Sequence, residues 1–326
     1  MSNKTRYFVV TAATILAVGL TTGLVASYMG LPVAFSQAAG PDELQYVPAD
    51  AAVVAYANVR EVMDSNFRER FRQFEPDTKE RDEFQSKTGV NIEQDINSVV
   101  AAMMPGGGDA QFGPHSGMLI LARGRFEQSR LEALAIEHGG QAEDYNGKRL
   151  LTHANDAGSP AMAIGFLEAD LIALGGYDAI KKSIDAGGGN NVVSNTEMMR
   201  QIHDIDAANA WAVGRFDAIA NAGRIPNEIQ AHMPAIQWFS AATHVNGGVS
   251  GVFKAETKDD ESAQNLREVV RGFLALAKMQ AGSKPELKTM VDSLQLSGDG
   301  KNVAISFSLP SELFDALEEL KKLEQR

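Results

Sequence analysis

Histidine is the side chain with which a search for chemistry begins, because its neutral nitrogen can accept a proton or bind a metal near pH 7. No histidine of this chain stands two, three or four residues from another, and the H-E-x-x-H pattern is missing. The nearest pattern, His203-Asp204-Ile205-Asp206, is interpreted as the solvated end of a helix. The six histidines are His115, His138, His153, His203, His232 and His244.

The sequence also contains neither a complete phosphate-binding glycine loop nor the G-x-S-x-G turn that presents a nucleophilic serine. Gly108 and Gly113 have the spacing of a P-loop, but Pro114 and His115 follow where Lys and Ser or Thr are needed. Gly248-Val249-Ser250-Gly251 is not G-x-S-x-G, and it lies in a hairpin pattern. The sequence therefore predicts no cofactor and no metal site and leaves the catalytic residues unknown. A triad of distant Ser, His and Asp residues stays open, because triads assemble across the sequence.

Composition narrows the classes of partner. The 326 residues carry a formal net charge of −12, with 44% hydrophobic and 22% charged residues, which is typical of a folded globular protein. An acidic surface repels nucleic acid, so no nucleic-acid partner is expected. The chain has no cysteine, which excludes disulfides, thiolate nucleophiles and cysteine-bound metal sites.

The N-terminus carries a long uncharged segment. Lys4 and Arg6 precede it, Tyr7 to Met29 is predominantly apolar, and the next charge is Asp42. About 20 apolar residues span a bilayer as a helix. Positive charge before the segment predicts that the N-terminus stays inside. We therefore expect a single-pass inner-membrane protein whose body lies in the periplasm or another extracytoplasmic space.

Whether this segment is cleaved is a separate question. Its length favours a retained anchor, and the alternative is cleavage near Ala38, where Ser36-Gln37-Ala38 resembles a small-x-small site. Gly19, Gly23 and Ser27 repeat at intervals of four, which lets two membrane helices approach closely and predicts a homodimer. The alternative is chance spacing in a segment rich in small residues.

One unit recurs in the body: an apolar strand, a turn-like junction, an acidic residue and a helix. The junctions Gly124-Arg125-Phe126-Glu127 and Gly214-Arg215-Phe216-Asp217 share three residues and the final acid. Glycine permits a sharp turn, and the carboxylate suits the start of a helix. A structural role therefore accounts for the repeated arginine better than a binding role. The strands begin at or near Val53, Met118, Leu171 and Ala210.

Hairpins and helices complete the predicted body. Asn146-Gly147, Asn246-Gly247 and Asp299-Gly300 are hairpin signals, so the sheets are expected to be largely antiparallel. Helices are predicted over Asp260 to Ala281, from Pro285, and from Ser311. The last has Leu313, Leu317, Leu320 and Leu323 on one stripe, and packs on the sheet or binds a partner.

Together these patterns predict an α+β fold. It has largely antiparallel sheets with helices packed on one face, a two-fold internal repeat and an N-terminal transmembrane helix. Residues 1–40 are the signal anchor and linker, residues 41–205 the first α+β half, and residues 206–326 the second.

This layout resembles a group of uncharacterised bacterial exported proteins that are classed as domains of unknown function. The residues that carry the resemblance are Val47-Pro48-Ala49-Asp50, Tyr145-Asn146-Gly147-Lys148, and Ala173 to Ile180 entering a helix that ends at Ile184-Asp185. The resemblance implies export and no known activity. The leading hypothesis is a non-enzymatic envelope protein that binds a partner or a small ligand. The alternatives are a periplasmic hydrolase with a dispersed Ser/His/Asp-type site and a structural module that dimerises through its anchor.

Overall fold

The structure, a computed structural model, describes residues 40–65, 79–105, 117–154, 160–205, 208–221, 235–245, 248–281 and 285–310. The predicted anchor with Gly19, Gly23 and Ser27 lies outside these residues, as do His115, His232 and the predicted helix from Ser311. In the described part of the chain, no helix is both long enough and apolar enough to cross a membrane.

The chain divides into two compact units. The first unit comprises the described parts of Ala38–Arg60 and Glu75–Asp204, and the second those of Glu61–Phe74 and Ile205–Arg326. Both are mixed α+β with antiparallel sheets, which confirms the predicted class. The division into residues 41–205 and 206–326, and the relation of these halves as repeats, stay predictions.

Seven strands form the sheet of the first unit, in the order β1-β2-β3-β7-β6-β5-β4, with every neighbouring pair antiparallel. The strands are β1 (Val53–Ala57), β2 (Ile96–Met103), β3 (Met118–Gly124), β4 (Gln141–Tyr145), β5 (Lys148–Ala154), β6 (Pro160–Glu168) and β7 (Leu171–Gly176). The helices that begin in this unit are α1 (Val59–Met63), α2 (Lys79–Thr88), α3 (Ile92–Asp95), α4 (Gln128–Glu137), α5 (Tyr177–Ala186) and α6 (Thr196–His203). Asp42–Tyr46 and Val192–Ser194 are 3₁₀ helices.

Helices cover both faces of this sheet, so the prediction of helices on one face is wrong for the first unit. A Cβ atom on Gly165 would meet Ile180 of α5, so this side of β6 faces α5. Arg149 stands opposite Phe166, one residue along from Gly165 and on the other face, where it pairs with Glu132 of α4. The physical reason is visible in β7, whose six residues are all buried, because a strand covered on both sides is apolar on both sides.

The hairpin between β4 and β5 has the turn that its sequence predicts. Asn146 and Gly147 have φ values of 47° and 75°, and Tyr145 pairs with Lys148. Two successive residues with positive φ form a type I′ turn, whose twist matches that of the strands. This turn fixes the position of Tyr145, which contributes to the site described below.

The second unit has a five-stranded antiparallel sheet in the order β8-β9-β10-β12-β11. Its strands are β8 (Ala210–Arg215), β9 (Ile236–Val245), β10 (Gly248–Thr257), β11 (Gln295–Ser297) and β12 (Asn302–Pro310), and its helices are α7 (Phe216–Asn221), α8 (Asp260–Ala281) and α9 (Pro285–Ser293). The predicted bounds of α8 are confirmed. Its first half packs on the sheet, where Ala263 and Leu266 contact Val303.

Candidate functional site

The motif residues that lie apart in the sequence of the first unit meet at one place on its surface. The β4–β5 turn contacts the C-terminal end of α5, and Asp185 is the side chain that joins them. Its carboxylate accepts a hydrogen bond from the Tyr145 hydroxyl at 3.0 Å and one from the Asn146 amide at 2.8 Å. The hairpin and the end of α5, which the sequence indicated as separate features, are therefore joined by hydrogen bonds.

Lys181 lies one turn before Asp185 on the same helix and is held between two tyrosines. Its Nζ is 4.4 Å from the ring centre of Tyr145 and 4.8 Å from that of Tyr177, which is within the range of cation–π attraction. It also donates to the Tyr177 hydroxyl at 3.2 Å, and that hydroxyl donates to Glu143 at 2.7 Å. We call Glu143, Tyr145, Tyr177, Lys181 and Asp185 the tyrosine cluster.

Hydrogen bonds within the tyrosine cluster raise the pKa values of Tyr145 and Lys181. The hydrogen bond to Asp185 raises the pKa of the Tyr145 phenol above 10.0, because the carboxylate stabilises the protonated hydroxyl. The pKa of Lys181 is also raised, chiefly by its hydrogen bond to Tyr177. Both shifts favour the protonated forms of Tyr145 and Lys181, so the cluster holds a lysine cation against the Tyr145 phenol.

A cleft of about 550 Å³ opens beside the cluster and shares Asp185 with it. Asp50 and Lys182 form an ion pair at 3.6 Å on its wall. With Asp185, the wall has two carboxylates and one ammonium group, so its formal charge is −1. The described residues that line the cleft are Pro48, Ala49, Asp50, Lys182, Asp185, Ala186 and Asn190.

Backbone pairing holds the walls of the cleft in place. Pro48 forms an isolated β-bridge with Asn191, and the Val192 amide donates to the Val47 carbonyl at 2.8 Å. The buried Ser183 hydroxyl of α5 donates to the Tyr46 carbonyl at 2.7 Å. The side-chain amide of Asn195 donates to the Ala49 carbonyl at 3.0 Å. The segment Val47-Pro48-Ala49-Asp50 is therefore held against α5 and against the residues that follow α5 in the chain.

A second polar network in the first unit is centred on Arg123 at the end of β3. Its Nε donates to Glu43 at 2.8 Å, and its Nη1 donates to Glu168 at 3.0 Å and to Asp170 at 2.8 Å. Burial alone would lower the pKa of this guanidinium, but the three carboxylates outweigh burial and raise it. Glu43 is buried and also accepts a hydrogen bond from Ser98 at 2.8 Å. This network attaches the first 3₁₀ helix to the sheet and has a structural role.

The two Gly-Arg-Phe-acid junctions have structural roles, but some contacts of their residues differ from those that the sequence predicted. Arg125 pairs with Asp95 at 2.6 Å, and Arg215 pairs with Asp217 at 2.6 Å. The Arg215 hydrogen bond lowers the pKa of Asp217.

Glu127 precedes α4 without a side-chain capping bond. Gly124 is required by close approach, because a Cβ atom there would collide with the Asp95 carbonyl oxygen, whereas the sequence predicted a sharp turn.

The described histidines do not meet in the cleft. His203 is the exposed last residue of α6, and His138 follows α4 at the surface. His244 stands opposite Ser250 in the β9–β10 ladder, but its Nε2 and the Ser250 hydroxyl are buried and have no hydrogen-bond partner among the described residues. The dispersed-hydrolase alternative stays a prediction. Among the described residues, no group of three His, Cys, Asp or Glu side chains could hold a metal.

Sequence reasoning missed the cleft and the cluster because their residues come from segments far apart in the chain. The Tyr145–Asp185 contact spans 40 residues, and the Glu43–Arg123 contact spans 80. The only local signals were the hairpin and the glycine-to-helix junction before α5, which the sequence interpreted as turn chemistry. Neither signal specifies which strand or helix the residues will face.

Comparison with known proteins adds little to this geometry. No family model matches the chain, and no curated protein matches it. One solved structure, entitled "Structure of crystal form I of TP0453", aligns with a TM-score of 0.46 and 9% sequence identity. The alignment covers 85% of this chain and 96% of that chain.

Proposed function

We propose that this chain is a membrane-anchored extracytoplasmic binding protein whose ligand site is the acidic cleft of the first unit. The observation that carries the proposal is the cleft itself, which Asp50 and Asp185 line and where Lys182 pairs with Asp50 alone. Concave sites with a few converging polar groups are the usual place for small ligands.

The charge of the wall selects the class of ligand. Two carboxylates against one ammonium favour a cation, and the exposed Asp50–Lys182 pair leaves carboxylate oxygens able to accept hydrogen bonds from an amine or a guanidinium. An amine-bearing small molecule or the basic side chain of a peptide fits this pattern. The described lining contains neither a serine nor a histidine, so it lacks two members of a Ser/His/Asp-type site, which favours binding over that kind of hydrolysis.

The first test measures the affinity of the full-length chain for spermidine and for arginine amide by calorimetry. We expect both cations to bind, and Asp50→Asn to weaken them about two- to fivefold, because an exposed charge pair contributes up to about 1 kcal/mol. Lys182→Gln is expected to tighten binding, since it removes the competing cation from the wall.

The matched control is Asp178→Asn. Asp178 is an exposed acid of the same helix that does not line the cleft, so this variant changes the net charge equally and should leave the affinity unchanged. The proposal is abandoned if neither cation binds, or if Asp178→Asn weakens binding as much as Asp50→Asn does.

The anchoring part of the proposal rests on the charge and hydropathy of residues 1–42. Lys4 and Arg6 before the apolar stretch, and Asp42 after it, support an N-terminus inside and a body outside the inner membrane. We expect the full-length chain to sediment with membranes after an alkaline wash and to be digested by protease added to spheroplasts. Recovery of the uncleaved chain among soluble cytosolic proteins contradicts this expectation.

A homodimer through Gly19, Gly23 and Ser27 is part of the same proposal. Small residues at intervals of four let two membrane helices pack closely. Crosslinking of the chain in membranes should therefore fall when Gly19 and Gly23 are both replaced by isoleucine. Unchanged crosslinking would remove the anchor as the dimer interface.

A further inference from the structure

The carboxylate of Asp185, which lines the cleft, has most of its hydrogen-bond acceptor positions already filled. An ionised carboxylate offers about four lone-pair positions, two on each oxygen. The Asn146 amide donates to Oδ1 at 2.8 Å. The Tyr145 hydroxyl lies 3.2 Å from Oδ1 and 3.0 Å from Oδ2, so it occupies a position on each oxygen. These donors of the β4–β5 turn leave one position open, on the outer side of Oδ2.

The place of the Tyr145 hydroxyl decides which cations can use Asp185. A guanidinium binds a carboxylate most strongly through two parallel N–H bonds, one to each oxygen. This forked arrangement needs the side of the carboxylate that both oxygens share, and the hydroxyl stands on that side, almost equally distant from the two oxygens. An ammonium group donates its hydrogen bonds singly, so it can use the one open position.

The surrounding structure holds both donors in place. Asn146 belongs to the type I′ turn, where its φ is 47°. The ring of Tyr145 lies against the Lys181 ammonium, 4.4 Å from the ring centre. The bond to Asp185 also raises the pKa of the Tyr145 phenol, so the hydroxyl keeps the proton that it donates. The filled state of Asp185 is therefore part of the fold of the hairpin.

The second acid of the cleft favours the same kind of cation. The Oδ2 atom of Asp50 lies 3.6 Å from the Lys182 Nζ. A forked guanidinium on Asp50 takes both oxygens, so it must approach this ammonium, and like charges repel each other. A ligand ammonium can bind through a single oxygen.

We propose that the cleft is a site for primary ammonium groups and that Tyr145 and Asn146 are its positioning residues, because they leave Asp185 one open acceptor position. The inference rests on the proposed function, since it takes the cleft as the ligand site. It narrows the ligand to an alkylamine or the lysine side chain of a peptide and disfavours arginine.

The test compares cations that differ only in the head group, by calorimetry on the full-length chain. Butylamine and butylguanidine are the small-molecule pair, and Nα-acetyl-lysine methylamide and Nα-acetyl-arginine methylamide are the peptide-like pair. We expect the ammonium member to bind about two- to fivefold more tightly than the guanidinium member, the effect of about one hydrogen bond. The pair that binds more tightly identifies the source of the ammonium group.

Tyr145→Phe is the variant that tests the positioning role. It removes the hydroxyl but keeps the ring beside Lys181, so the shared side of Asp185 becomes open to a forked guanidinium. We expect the preference for ammonium to fall about two- to fivefold. The matched control is Tyr177→Phe, which removes a hydroxyl of the same cluster that bonds to Glu143 and Lys181, and it should leave the preference unchanged.

The ratio of the two affinities separates positioning from stability, because a loss of packing weakens both members of a pair alike. Equal affinities within both pairs, or a ratio that Tyr145→Phe does not change, would overturn the inference and leave the proposed function standing. A ratio that Tyr177→Phe lowers as much as Tyr145→Phe does would also overturn it. If none of the four cations binds, the cleft is not the ligand site, and the proposed function and this inference both fall.

Discussion

Replacement of Arg123 by alanine is expected to lower the free energy of unfolding by about 3–5 kcal/mol, because it leaves the buried carboxylate of Glu43 without a cation. Without the guanidinium, the buried carboxylate of Glu43 keeps the hydrogen bond from the Ser98 hydroxyl but has lost its cation. Glu168 and Asp170 then face Glu43 without a cation between them. Both like-charge repulsion and lost hydrogen bonds act in the same direction.

The measurement is urea unfolding followed by far-ultraviolet circular dichroism. Tryptophan emission is unsuitable because Trp211 and Trp238 both lie in the second unit. The control is Arg125→Ala, two residues along the chain, where the side chain is 75% exposed and pairs with Asp95. We expect this exposed pair to contribute less than about 1 kcal/mol. An Arg123→Ala effect no larger than that of Arg125→Ala would show that the network does not stabilise the fold.

Gly124→Ala is expected to destabilise the chain by about 1–3 kcal/mol, because the added methyl group has no space. The Cβ atom would lie closer than 3.0 Å to the carbonyl oxygen of Asp95, and the backbone that holds this oxygen cannot move freely. That same carbonyl accepts the Arg125 amide at 2.8 Å, and the Gly124 amide donates to Asp170 at 2.8 Å. Relief of the collision therefore costs hydrogen bonds on both sides of the junction.

Gly272→Ala provides a control of opposite sign. Gly272 lies within α8, and no atom of the described residues stands within 4 Å of the position that its Cβ atom would occupy. Alanine is the better helix former by about 0.8–1.0 kcal/mol, so this variant should raise stability. If both glycine variants shift the urea midpoint in the same direction, close approach at Gly124 is not what requires glycine there.

Local chemistry let the sequence determine much of the architecture. Asn146-Gly147 fixed a hairpin because two residues with positive φ admit few turn types, and the acids at Asp260 and Glu261 marked the start of a helix that ends at Ala281. The strands near Val53, Met118, Leu171 and Ala210 followed from short apolar runs. Each signal acts over a few residues and does not depend on the rest of the chain.

Strand order is the part that only the tertiary structure decided. The sequence gives no local indication that β3 lies between β2 and β7, and this order brings Arg123 to Glu43 and Glu168. The same holds for Tyr145 and Asp185, and for the cleft that Asp50, Lys182 and Asp185 share. Contacts over 40 to 80 residues depend on how all the strands pack together, because the free energy of burial belongs to the whole core and not to any single segment.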